Sequence, residues 1–268
     1  MWEHLKQEQK EKYKTLITNF ASLSEAFSQK AEGEDSDDRE SYVAPIVNSK
    51  FQETVFQKAF HAVGEDIANT SYDASVVVDE QHKYLVGIKS FGLDSGDQKI
   101  AQFKKDSQSW NELLSEIRFQ ADISPDKETA DKENRARYEK LAREIASLRN
   151  QRIESSKALV KGFHSDASHV EAVYHVLMPT SKAHKPQIHV GETTYLPVDL
   201  DNLKILGSTT KNNPTNFRFT DGQHDYKYTA ADSQLHMTFR NKEIVVDTWD
   251  VNYVEDPFYL FEPVSYTH

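Results

Sequence analysis

Apolar residues recur at intervals of three and four along most of the first 160 positions, and at intervals near two from residue 171 onward. A helical first part and a stranded second part follow from that change of period. In residues 2–29 the positions Leu5, Tyr13, Leu16, Phe20, Leu23 and Phe27 predict an amphipathic helix with one break. Residues 31–40, AEGEDSDDRE, are acidic and lack a large apolar side chain, which predicts a solvated loop. Phe51, Val55, Phe56, Ala59 and Phe60 then form a second helical stripe, with Asn48 or Ser49 placed to cap it. An apolar run at residues 74–78 and a return run at 84–90 read as two strands around a polar turn at 79–83. A helix over 98–119 is predicted from Ile100, Phe103, Trp110, Leu113, Leu114 and Ile117. Ser124-Pro125 interrupts it, and Tyr138, Leu141, Ile145 and Leu148 mark a long helix over 126–161. The runs 172–178, 187–190, 193–198, 216–220, 226–229, 234–239 and 243–249 read as strands between Pro, Gly, Asn and Asp turns. The fold class expected is α/β, a mixed sheet flanked by helices with a β-rich C-terminal part. Its expected divisions are an N-terminal helix and α/β core over 1–122, a helical segment over 123–165 and the β-rich part over 166–268.

Composition narrows the chemistry. The 268 residues include no Cys, so disulfides, thiolate metal sites and Cys nucleophiles are excluded. No apolar run approaches the roughly 20 residues that span a bilayer, and the opening residues lack a signal-peptide layout. A soluble, cytoplasmic protein without a membrane partner is expected. The formal net charge of −11 argues against a generic basic nucleic-acid coat, although a locally basic cleft on an acidic exterior suits a specific nuclease. The eleven His follow no zinc spacing, and there is no Gly-rich nucleotide loop and no nucleophile elbow.

One acid and one base stand out. Asp73 opens the first strand of the 74–90 hairpin and Lys89 lies near the end of the second. Alone, such an Asp is an ordinary turn residue and such a Lys an ordinary edge charge; together they supply a carboxylate for a hard cation and an amine for water or phosphate. The arrangement, covering about a quarter of the chain, resembles the PD-(D/E)XK nuclease superfamily, whose signature is an Asp before one strand and an acid two residues before a Lys on the next. The resemblance implies a Mg²⁺-dependent, sequence-specific DNA endonuclease similar to type II restriction enzymes, acting on double-stranded DNA as a homodimer. Asp73 would bind the metal and Lys89 would position water.

The departure is Gly87, which stands where the second acid belongs. Glu53, on the preceding helix, is the first candidate to replace it as metal ligand. Asp94, Asp97, Gln98 or Gln102 downstream form the weaker alternative, with Gln98 as a supporting catalytic residue. Glu65 and Asp66 are held in reserve. The polar stretches 181–185 and 208–218 are the expected DNA-binding loops through Lys182, Lys185, Lys211, Asn213, Asn216 and Arg218, since Lys and Arg engage phosphate or guanine and Asn pairs with adenine. The rival reading is a non-catalytic nucleic-acid-binding or assembly protein that keeps the fold.

Overall fold

The computed structural model describes residues 1–27, 42–64, 71–159 and 170–254. Glu65 and Asp66 lie outside the described residues. Mixed α/β architecture is present, divided between two compact units that interleave along the chain. The first comprises Met1–Asp94, Gly162–Tyr195 and Asn241–His268, and the second comprises Ser95–Lys161 and Leu196–Arg240. These differ from the three consecutive stretches expected, because strands far apart in sequence close each sheet.

In the first unit a 3₁₀ turn, Trp2–His4, leads into helices α1 (Gln7–Ala21) and α2 (Ser24–Phe27), so the expected long helix is indeed broken. Helix α3 (Ser49–Phe60) starts where the sequence placed its cap: the Asn48 side chain accepts a hydrogen bond from the Phe51 amide at 2.9 Å. Strands β1 (Val63–Gly64), β2 (Ala74–Val77) and β3 (Lys83–Ser90) follow as an antiparallel meander. The Asp79 carboxylate accepts the Gln81 and His82 amides and shapes the β2–β3 turn. After the first segment of the second unit the chain returns in β5 (Val170–Pro179), parallel to β3, and β6 (Gln187–Thr194), and after its second segment in β11 (Val245–Asp250). The sheet order is β1-β2-β3-β5-β6-β11. Strand β6 runs without interruption where two strands, 187–190 and 193–198, were expected, since pairing with β5 continues through Gly191 to Thr194.

Alternation along β3 decides what each face touches. Tyr84, Val86 and Ile88 join Val55, Phe56, Ala59 and Phe60 of α3 and Tyr13, Ile17 and Ala21 of α1 in one buried core. Leu85, Gly87 and Lys89 occupy the other face.

The second unit holds the largest corrections. Residues 98–119 are not one helix: β4 (Gln98–Gln102) comes first, then a 3₁₀ turn, Asp106–Trp110, and only then α4 (Asn111–Ile123). Ladder bonds from β10 (Gln234–Met237) override the helical spacing of this run. Helix α5 (Lys127–Leu159) agrees with the sequence, and Asp126 accepts the Thr129 amide at its start. Strands β7 (Lys204–Thr210), β8 (Asn213–Thr220) and β9 (Asp225–Thr229) complete an antiparallel sheet of order β4-β10-β9-β8-β7. The expected loop 208–218 is therefore a β7–β8 hairpin. Gly207, at φ +101°, is required in it, both for that backbone and because a Cβ there would lie 2.5 Å from an Asp131 carboxylate oxygen. No helix among the described residues is long and apolar enough to cross a membrane.

Candidate active site

The β2–β3 pairing brings Asp73 and Lys89 to one edge of the first unit. Ala74 lies opposite Val86, so Asp73, one residue earlier, falls beside Gly87, and Lys89 stands two positions further along the same face of β3. Three contacts fix the segment that presents the carboxylate. The Asp73 amide donates to the Val86 carbonyl at 2.9 Å, and Asp73 Oδ2 accepts the Ile88 amide at 2.6 Å, a charge-assisted bond. Tyr195 donates its hydroxyl to the Ser71 carbonyl at 3.0 Å, two residues ahead of Asp73. Asp73 and Lys89 are both partly exposed, so solvent and a substrate can reach them.

Gly87 has a steric reason. Tyr174, its neighbour on β5, stacks on Tyr195 with ring centroids 4.0 Å apart and planes 11° from parallel. A Cβ at position 87 would lie 2.8 Å from a Tyr195 ring carbon and 3.0 Å from Tyr174. Two buried rings thus take the volume that a second acid would need, with Tyr72 packed against Tyr195 at 5.1 Å. The tyrosines were missed in the sequence. Tyr72 adjoins Asp73, but Tyr174 and Tyr195 carry no local signal of their role.

Glu53 does not repair the gap. Its helix covers the face of β3 opposite Lys89, and its carboxylate takes the Lys50 ammonium at 2.9 Å in a surface pair. Gln98 belongs to β4 of the second unit, a strand where a helix was expected, and donates to the Gly96 carbonyl at 2.9 Å. Gln102 donates to the Asp232 carbonyl, and Asp94 pairs with Lys242. Among the described residues no group of three or more His, Asp or Glu side chains is arranged to hold a metal ion. Magnesium keeps several waters and takes as few as one or two carboxylates when substrate phosphates complete its shell. Asp73, held rigidly at a solvent-reachable edge, meets the lower limit of that requirement.

The DNA-binding candidates divide between the units. In the first, Lys185 pairs with Asp250 at 2.8 Å, and the exposed Lys182 gives its carbonyl to the Tyr42 amide. In the second, Lys211 is a structural tie: its ammonium donates to the Ser124 and Pro125 carbonyls at 2.9 and 3.1 Å, closing the end of α4. Asn213 is exposed at the hairpin, and Asn216 accepts the Ala230 amide. Arg218 and Lys227 both bind Asp97, Lys227 at 2.9 Å, and the Thr238 hydroxyl donates to it at 2.7 Å. Burial pushes the Asp97 carboxyl upward, but hydrogen bonds from Lys227, Thr238 and Arg218 outweigh it and hold the group down at about 2.

The chain matches no protein-family model, no curated protein and no solved structure.

Proposed function

We propose that the chain is a Mg²⁺-dependent DNA endonuclease with Asp73 and Lys89 at its centre. The observation that carries this reading is the pairing of β2 with β3, which sets an anchored carboxylate beside a Lys-bearing strand at a solvent-reachable edge. Asp73 would hold the ion. Bound there, magnesium would act as a Lewis acid on a phosphate oxygen. Lys89 contributes a cation that orients water and offsets charge gathering on the phosphate. A two-fold homodimer is the simplest assembly for cutting both strands of a symmetric site, and light scattering of the purified protein tests it.

The covered Gly87 favours a second reading, in which the fold binds nucleic acid without cutting it. Plasmid DNA incubated with the protein and Mg²⁺, with and without chelator, separates the two. Discrete fragments that disappear with chelator support the endonuclease; intact plasmid at protein concentrations that retard the DNA in a gel favours the binding protein.

A further inference from the structure

Formal charge is divided unequally along the chain. Of 32 Lys and Arg and 43 Asp and Glu, the second unit holds 19 and 17, whereas the first holds 13 and 26. The net charge of −11 thus combines −13 on the first unit with +2 on the second, so the acidity that argues against a nucleic-acid surface belongs to the first unit alone.

The sheet of the second unit has two unlike faces. Phe217, Phe219, Tyr226, Tyr228, Leu235 and Met237 are buried; on this side Tyr138 of α5 stacks on Phe217 and Trp110 meets Tyr228 edge-on. The residues between them point away from these helices. Strand register there aligns Arg218 with Lys227, Lys227 with His236 and His236 with Lys99, one basic row across β8, β9, β10 and β4. Asn216, Thr229 and Gln234 flank the row on the same face. The acids there are Asp97 and Asp225; Asp97 is only 8% exposed and lies beneath Arg218 and Lys227, fixing their positions rather than covering them. Lys99 is exposed at the edge strand. Adjacent strands are about 4.8 Å apart, and burial lowers the pKa of His236 and keeps it neutral, so the row presents the cations Arg218, Lys227 and Lys99 with amide and hydroxyl donors alongside, which complements a line of phosphates.

We propose that this face, through Lys99, Lys227 and Arg218, is where the chain grips the sugar-phosphate backbone of a DNA duplex. The proposal rests on the reading that DNA is the partner, and it relocates recognition from the β7–β8 hairpin tip to the sheet. Asp97 preorganises Arg218 and Lys227, and Lys99 extends the grip to the sheet edge.

Fluorescence anisotropy of a labelled 20-base-pair duplex, in chelator and at several salt concentrations, tests it on the full chain. Lys99→Ala and Lys227→Gln should each weaken binding roughly eightfold near 0.1 M salt and lower the salt slope by about one unit. Lys99→Glu should weaken it further. Lys211→Ala, whose ammonium holds α4, should leave the salt slope unchanged, and an unshifted thermal midpoint for Lys99→Ala confirms intact folding. Parental affinity and salt slope in all three Lys99 and Lys227 variants overturn the proposal. So does a parent chain that fails to bind the duplex, or that binds only a single strand of the same sequence. Because chelator removes the cleavage question, a parent chain that binds the duplex without cutting it in Mg²⁺ counts against the endonuclease alone, and cutting that survives these variants at parental affinity counts against the sheet face alone.

Discussion

Both units bury a cluster of aromatic rings, but they treat polar groups in opposite ways. In the first, Trp2, Tyr13 and Phe56 enclose His175, with the Trp2 ring stacked on its imidazole at 5.6 Å and the Tyr13 hydroxyl 3.1 Å from Nε2. Burial, assisted by the nearby N-terminal amine, drives this imidazole down to about 3 and keeps it neutral. In the second, the rings lie on one face of a sheet and the charges on the other, where Asp97 stays ionised among cations. The first unit keeps the His175 imidazole neutral beside a buried N-terminal amine paired with Glu192 at 2.7 Å; the second compensates Asp97 with cations on its sheet face. That difference should give the two units different responses to acid and to substitution.

The largest effect is expected at the proposed cleavage centre of the first unit. Lys89→Ala should lower the cleavage rate by about 10²–10⁴-fold, the usual range for a positioned acid–base group, while the far-UV spectrum stays as it is. A rate within twofold of the parent in a plasmid time course would remove Lys89 from the centre.

Acid should then reach the two units in sequence. Between pH 6.5 and 3 the unfolded chain protonates His175 while the folded chain does not, so stability is full above pH 6.5 and falls as pH drops, by on the order of 4 kcal/mol across the window. His175→Gln should flatten this slope. Asp97 works lower: its depressed folded value gives stability that is present above about pH 4 and lost as pH falls toward 2, ~2 kcal/mol in all. Asp97→Asn should remove that second loss alone. The three Trp separate the signals, since Trp2 and Trp249 lie in the first unit and Trp110 in the second. Acid titration followed by fluorescence in single-Trp variants should show the first unit yielding at higher pH; simultaneous transitions would break the contrast.

Gly87→Ala is the smaller structural test. Its Cβ meets Tyr195 and Tyr174 at 2.8 and 3.0 Å, so overpacking should cost about 1–3 kcal/mol in urea unfolding. A stability equal to the parent's would mean that the tyrosine stack gives way and that position 87 could have carried an acid.

The contrast also explains what the sequence made legible. Helices α1, α3 and α5 follow from apolar spacing, the Asn48 cap from its residue type, and the β2–β3 hairpin with Asp73 and Lys89 from two apolar runs around a polar turn. Each depends on neighbours within a few residues. Strand β4 was hidden because helical spacing in residues 98–119 was the stronger local pattern, while its ladder partner lies more than 130 residues further on. The reason for Gly87 lies in Tyr174 and Tyr195, and the face reached by Glu53 depends on which side of the sheet α3 covers. Lys211 and Arg218 looked like loop cations, and only the fold turns one into a helix tie and the other into a neighbour of Asp97. The basic row was nevertheless written in the alternation of 216–220, 225–229 and 234–238, where polar residues separate buried ones; strand register was needed to align it.

We propose a division of labour in which the first unit cuts and the second holds. It is tested most directly by measuring plasmid cleavage in Mg²⁺ and duplex binding in chelator for Asp73→Ala beside the parent. This variant should lose cleavage while keeping duplex affinity within about twofold and an unchanged salt slope. Cleavage at the parent's rate in Asp73→Ala would contradict it.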